Sequence, residues 1–225
     1  MIAPIQPLNK QEIIYPDSDG GLIADNTKQF DYIVKIKLGI DALFKDDENV
    51  FVAGDLLWYP VEGDNKIRQA PDVMIVFGRP KGDSLRDSYA SRGSYKQWIE
   101  DNIPPQVVIE ILSPGNRKAE MLRKFRFYER YEVEEYYIYD PDDGDLTGWL
   151  RSDGGLNEIE SMADWVSPRL GIRFEIESGE LEIYRPDGQK FLSYVELERE
   201  KELAQQRVER LAERLRSLGI NPDDI

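Results

Sequence analysis

Three charged residues stand where their neighbours are apolar: Asp72, behind Pro71 at the mouth of the run VMIVF; Glu110, inside QVVIEILSP; and Lys124, in AEMLRKFRFYERY. Desolvating an ionised carboxylate costs several kcal/mol or raises its pKa, so a glutamate within a strand-like run has a partner or a job. Two carboxylates on neighbouring strands can hold a hard cation such as Mg2+, which takes oxygen ligands and keeps several waters. Such a cation lowers the pKa of water and stabilises charge on a phosphate oxygen. A nearby lysine can orient the attacking water or stabilise the developing anion. Each residue also has a structural alternative: a buried ion pair between Glu110 and Lys124, a strand-entry turn for Asp72, a surface helix position for Lys124.

Composition narrows the chemistry. The chain has no His and no Cys, which excludes a Ser-His-Asp triad, a cysteine nucleophile, zinc held by His or Cys, and a disulfide framework. What remains is carboxylate, lysine, hydroxyl or hard-metal chemistry. Absence of cysteine fits a reducing interior. The start, MIAPIQPLNK, lacks a basic stretch followed by an apolar block, and no apolar run approaches the ~20 residues of a membrane span, so a cytoplasmic protein is expected. The net charge of −15 argues against non-specific adhesion to nucleic acid. Two stretches run the other way: 78–96 has five basic residues against two acidic, and 115–130 has six against two.

The elements that must position these residues can be read from periodicity. ADNTKQFDYIVKIKLGIDALF predicts a long helix with Phe30, Ile33, Ile40, Leu43 and Phe44 on its apolar face and Asp25, Asn26 or Thr27 at its start. VFVAGDLLWYP reads as strand material, VMIVF as a central strand covered on both faces, and 78–105 as an excursion around one short helical candidate, SYKQWIEDN. QVVIEIL is a strand, AEMLRKFRFYERY a helix and VEEYYIYDP a strand, which together imply an α/β (α+β) mixed sheet with helices packed on it. From 144 to 189 short β segments read as hairpins extending that sheet or covering its edge. The aromatics of RFYERY and EEYYIYD are expected in the core.

The last segment differs. Ser193 and Glu196 form a capping-box pattern, and Leu197, Lys201, Ala204, Val208, Leu211, Leu215 and Leu218 recur at alternating steps of four and three. This predicts a domain over 1–192 and a coiled-coil helix over 193–220, with a homodimer paired through the helix; the alternative is one amphipathic helix folded back onto its own domain.

The blocks APDVMIV, VVIEILSPGN and RKFRFYERYEVEEYYIYDP resemble the Uma-type family of restriction-endonuclease-like proteins, abundant in cyanobacteria and placed in the PD-(D/E)XK nuclease superfamily. The resemblance runs from about Leu22 to Leu192. It implies a restriction-endonuclease-like core, with Pro71 and Asp72 as the PD element and Glu110 as the second acid. It further implies Mg2+ or Mn2+ held by Asp72 and Glu110, and an endonuclease hydrolysing DNA phosphodiester bonds. The lysine of the superfamily pattern, two residues after the acid, is Leu112 here; Lys124 matches the position on the next helix used by this family. A further acid often sits on the first helix, for which Asp25 is the candidate. The competing expectation is an inactive nuclease fold used for binding or assembly through its coiled coil.

Overall fold

In the computed structural model, the structure describes residues 13–18, 20, 24, 26–82, 92–115 and 118–222; Asp25 lies outside them. Helix α1 (Thr27–Leu43) starts at Asn26, whose side chain accepts from the backbone N–H of Gln29. Its buried stripe is Gln29, Ile33, Ile36 and Ile40. Phe30, expected on that face, is instead 44 % exposed. One helical residue is a turn of about 100°, so with Gln29, Ile33 and Ile36 inward Phe30 is rotated toward solvent.

Strand β1 (Val50–Gly54) ends where Asp55 takes a left-handed φ of 47°, and β2 (Trp58–Tyr59) is a separate short strand. The stretch read as continuous strand material is therefore broken in two. Strand β3 (Val73–Phe77) follows, then β4 (Tyr95–Lys96), which runs parallel to β2 and leads into a 3-10 turn at Gln97–Ile99. The α-helix expected in SYKQWIEDN does not form. Tyr95 donates its N–H to the carbonyl of Leu57, Trp58 donates its indole N–H to Gln97, and Asp101 and Asn102 adopt positive φ, so tertiary pairing overrides local helical preference.

Beyond it come β5 (Val107–Ile111), α2 (Lys118–Arg130), β6 (Glu135–Asp140), β7 (Asp145–Ser152) and β8 (Gly155–Glu158). The sheet order is β1-β3-β5-β6-β7-β8, and β5 and β6 are parallel because α2 carries the chain back across the sheet. The hairpin of β9 (Arg173–Glu177) and β10 (Glu180–Tyr184) forms its own two-stranded sheet. Thus β7 and β8 extend the main sheet, while β9 and β10 cover a face of it.

Alternation along each strand sorts residues between two cores. Val73, Ile75, Val107, Ile109 and Ile111 pack with α1, the β9–β10 hairpin and Phe191. Met74, Val76, Val108 and Tyr136 pack on the other side with Tyr128 of α2 and with Trp58 and Tyr95. The aromatics at 128, 136, 137 and 139 are fully buried, as core residues should be.

The final helix α3 (Tyr194–Ser217) opens with the full capping box of Ser193 and Glu196 and buries none of its residues. It does not pack its stripe on the domain; Leu197, Val208, Leu211 and Leu218 are all more than half exposed. Among the described residues no helix is long and apolar enough to cross a membrane.

Candidate metal and catalytic site

Strand register brings the two acids together. The β3–β5 ladder pairs Val73 with Ile109 and Met74 with Val108 in antiparallel sense, so one step further sets Asp72 opposite Glu110. Opposed residues in such a ladder lie about 5 Å apart at Cα. Glu110 shares its face with Val108 and points toward α2, with 1 % of its surface exposed. On α2, Lys124 and Tyr128 are one turn apart and both face the sheet. The Lys124 ammonium lies 2.8 Å from Glu110 Oε2, and the Tyr128 hydroxyl donates to Oε1. Lys124, the lysine singled out on the helix after β5, thus reaches the acid in that strand.

Asp72 is held differently. Its Oδ2 accepts the backbone N–H of Ile111 at 2.7 Å and a long contact of 3.5 Å from Gln29 Nε2. Gln29 Nε2 also donates to the Ile111 carbonyl at 2.8 Å. Gln29 therefore ties the first turn of α1 to the end of β5, and the Asn26 cap fixes where that turn begins.

The electrostatics follow from burial and charge. Burial, then the Glu110 charge, push the Asp72 carboxyl up to about 8, against the opposing pull of Lys124, the Ile111 N–H and Gln29. Burial alone would lower Lys124, but the carboxylates of Glu110 and Asp72 outweigh it and hold the ammonium above its ordinary value. Tyr128 and Tyr136 are both raised, first by burial and then by Glu110.

Do these groups suit a divalent ion? Among the described residues no cluster of three or more acidic groups with metal-binding geometry exists, so the ligands would be two carboxylates completed by neutral oxygens and water. Among the described residues no hydrogen bond reaches Asp72 Oδ1. The Glu110 oxygens each take one hydrogen bond and keep a second lone pair. The buried Tyr136 hydroxyl, in the field of Glu110 and Asp72, has no hydrogen-bond partner among the described residues. A buried hydroxyl without a partner costs about 1–3 kcal/mol, which a water held at the site would recover. The donor set is all oxygen and fits Mg2+ or Mn2+.

The site also contains groups that the periodicity reading passed over. Gln29 is 6 % exposed and was hidden by its place among the polar residues of a helix start; its signal was the spacing of four to Ile33. Tyr128 was read as packing, but its hydroxyl serves Glu110. Leu112, just past β5, lines a separate concavity with Met121, Ile138 and Asp140 and brings no charge.

A mixed sheet with an acid at the mouth of one strand, an acid in its antiparallel neighbour and a lysine on the following helix defines a restriction-endonuclease-like fold. The chain belongs to the Uma2 family, described as "Putative restriction endonuclease", whose model matches residues 34–177. That span includes Asp72, Glu110 and Lys124 and leaves out Gln29 and α3. Among solved structures, the chain is similar to a putative nuclease belonging to DUF820 from Anabaena variabilis ATCC 29413. The two are 15 % identical over 65 % of this chain and 75 % of that one, with a TM-score of 0.48. No curated protein matches.

Proposed function

We propose that the protein is a metal-dependent endonuclease hydrolysing DNA phosphodiester bonds, with Asp72 and Glu110 holding Mg2+ or Mn2+ and Lys124 supporting the attacking water. The observation that carries the reading is the convergence of an Asp72 with one oxygen that takes no hydrogen bond among the described residues, an opposed Glu110 and a Lys124 ammonium 2.8 Å from Glu110. The ion, when bound, would supply Lewis-acid stabilisation of phosphate charge and a more acidic water. Lys124 remains protonated beside Glu110, so it acts as a hydrogen-bond donor and a fixed positive charge rather than as a base. Tyr128 and Lys124 set the Glu110 carboxylate in one orientation, and Gln29 and the Ile111 N–H do the same for Asp72. The working unit is a homodimer paired through α3, whose apolar seam finds no cover among the described residues of its own chain.

One observation favours a second reading, an inactive nuclease fold used for binding or assembly. Both Glu110 oxygens already have a donor, so the buried pair with Lys124 is satisfied without metal.

Cleavage of supercoiled and linear DNA with Mg2+ or Mn2+, together with calorimetric metal titration, separates the two. On the nuclease reading the wild type nicks DNA, Glu110→Gln and Asp72→Asn lose cleavage and metal heat together, and Lys124→Met slows cleavage about 100-fold or more with metal affinity largely kept. A wild type that neither binds millimolar Mg2+ or Mn2+ nor nicks DNA at low salt supports the assembly reading. Glu110→Gln would then alter thermal stability alone.

A further inference from the structure

Helix α2 has a second working face. Arg123, Arg126 and Arg130 line a concavity of about 310 Å3 together with Lys66 and Arg68 from the loop between β2 and β3, and no acidic residue among those described lines it. All but Arg68 are exposed. None of the five forms an ion pair among the described residues. In a chain with 44 acidic and 29 basic residues that is unexpected, since chance alone offers each cation an anion. Elsewhere the pairing is made: Arg79 and Arg92 meet Glu100, and Lys35 and Lys190 meet Glu182. Glu129, within the same helix, turns away and accepts from the backbone N–H of Leu156.

We propose that this groove holds the sugar-phosphate backbone of a nucleic acid at a place distinct from the Glu110 site. The spacing fits: Arg123 to Arg130 is seven residues of helix, about 10 Å, and successive phosphates of a duplex advance about 3.4 Å along its axis. Four of the five cations are arginines, whose planar fork binds phosphate through paired N–H donors. The Arg130 guanidinium stands 5.6 Å from the Tyr131 ring centroid, a contact that steadies the arm without neutralising it. With a net charge of −15, most of the surface repels a polyanion, so the basic groove selects how one approaches. Lys124 follows Arg123 by one residue and is rotated about 100° from it, toward Glu110. A strand seated in the groove therefore lies across α2 from the acids, about one helix diameter, roughly 10 Å, or more away. The proposal rests on the nuclease reading only for why a nucleic acid is held there, and the binding stands or falls separately.

The test measures binding of a labelled 30-base-pair duplex by anisotropy between 50 and 200 mM salt, in EDTA, so that neither metal nor cleavage enters. The triple variant Arg123→Ala, Arg126→Ala, Arg130→Ala is compared with Arg207→Ala, Arg210→Ala, Arg214→Ala on α3, which removes the same charge elsewhere. Circular dichroism confirms that both fold. The groove variant should bind at least tenfold more weakly at 100 mM salt, with a salt slope shallower by about two to three, while the α3 variant changes less than twofold. Equal losses in both variants, no duplex binding by the wild type at 50 mM salt, or tighter binding of polyglutamate than of duplex would each overturn the proposal. Groove-dependent binding in a protein that never cleaves would remove the nuclease reading and leave this one intact.

Discussion

Among the described residues five acidic side chains are buried, and the way each is satisfied separates structure from chemistry. Glu100 and Glu182 each meet two cations. Glu135, fully buried, is met by donors instead: the hydroxyls of Tyr137 and Ser167 and the backbone N–H of Arg169. Glu110 has one cation and one hydroxyl. Among the described residues Asp72 is the one of these five that keeps an oxygen without a donor, and it sits against a second acid, the arrangement that a bound cation would relieve. Glu135 makes a control for the pair. Its pKa is raised, chiefly by burial, with its three hydrogen-bond donors opposing. The folded state therefore keeps its proton to higher pH than the unfolded chain, which releases it near 4.3. The stabilisation this provides is complete below the unfolded pKa and is lost as pH rises through the folded one. Glu135→Gln should make the fall of unfolding free energy between pH 4 and 7 shallower in urea melts, the remaining slope coming from Asp72, whose carboxyl is pushed up to about 8, while leaving metal binding unchanged. A slope of the same steepness in wild type and variant would refute the assignment.

At the scale of elements, α1 illustrates how packing overrules propensity. Gly39 stands in the helix interior, where glycine costs about 1 kcal/mol against alanine. A Cβ there would meet the ring of Phe191 at 2.3–2.6 Å, and Phe191 is itself 2 % exposed, so the ring has nowhere to go. Overpacking a filled core costs about 1–3 kcal/mol, which exceeds the gain in propensity. Gly39→Ala should therefore lower the melting temperature by several degrees, by calorimetry, although the same change in an exposed helix would raise it. Because α1 also carries Gln29 to Asp72, any tilt that relieves the clash should weaken metal binding as well.

For the whole molecule, the question is what covers α3. Its 24 residues include no buried side chain, and a solitary polar helix is marginal in water. The proposed pairing would lay the heptad seam from Leu197 to Leu218 against a second copy of itself, where Lys201 on the seam would select register at some cost in stability. Removing everything after Tyr194 should reduce the molar mass from dimer to monomer by light scattering, with near-UV circular dichroism of the core retained. An unchanged mass would show that dimerisation, if present, uses another surface. The dimer would also place two basic grooves on one particle, which raises avidity for a long duplex.

Much of this molecule is written in local sequence. Strand VMIVF, strand VVIEI, the α2 helix and the capping box at Ser193 follow from periodicity and side-chain chemistry, because each is determined by nearest neighbours along the chain. So does the oddity of Asp72, Glu110 and Lys124, since a charge in an apolar run is visible without coordinates. What tertiary structure decided is everything that depends on register and rotation. The antiparallel pairing of β3 with β5 sets Asp72 opposite Glu110, and a slip of one residue would have turned one acid to the other face. The rotation of α1 put Gln29 inside and Phe30 outside, and pairing with Leu57 and Trp58 drew an expected helix into β4. The basic groove joins residues some 60 positions apart, from Lys66 to Arg130, that no linear charge count could have assembled. Contacts across the sheet and between helix and loop are non-local, and only folding brings their partners into range.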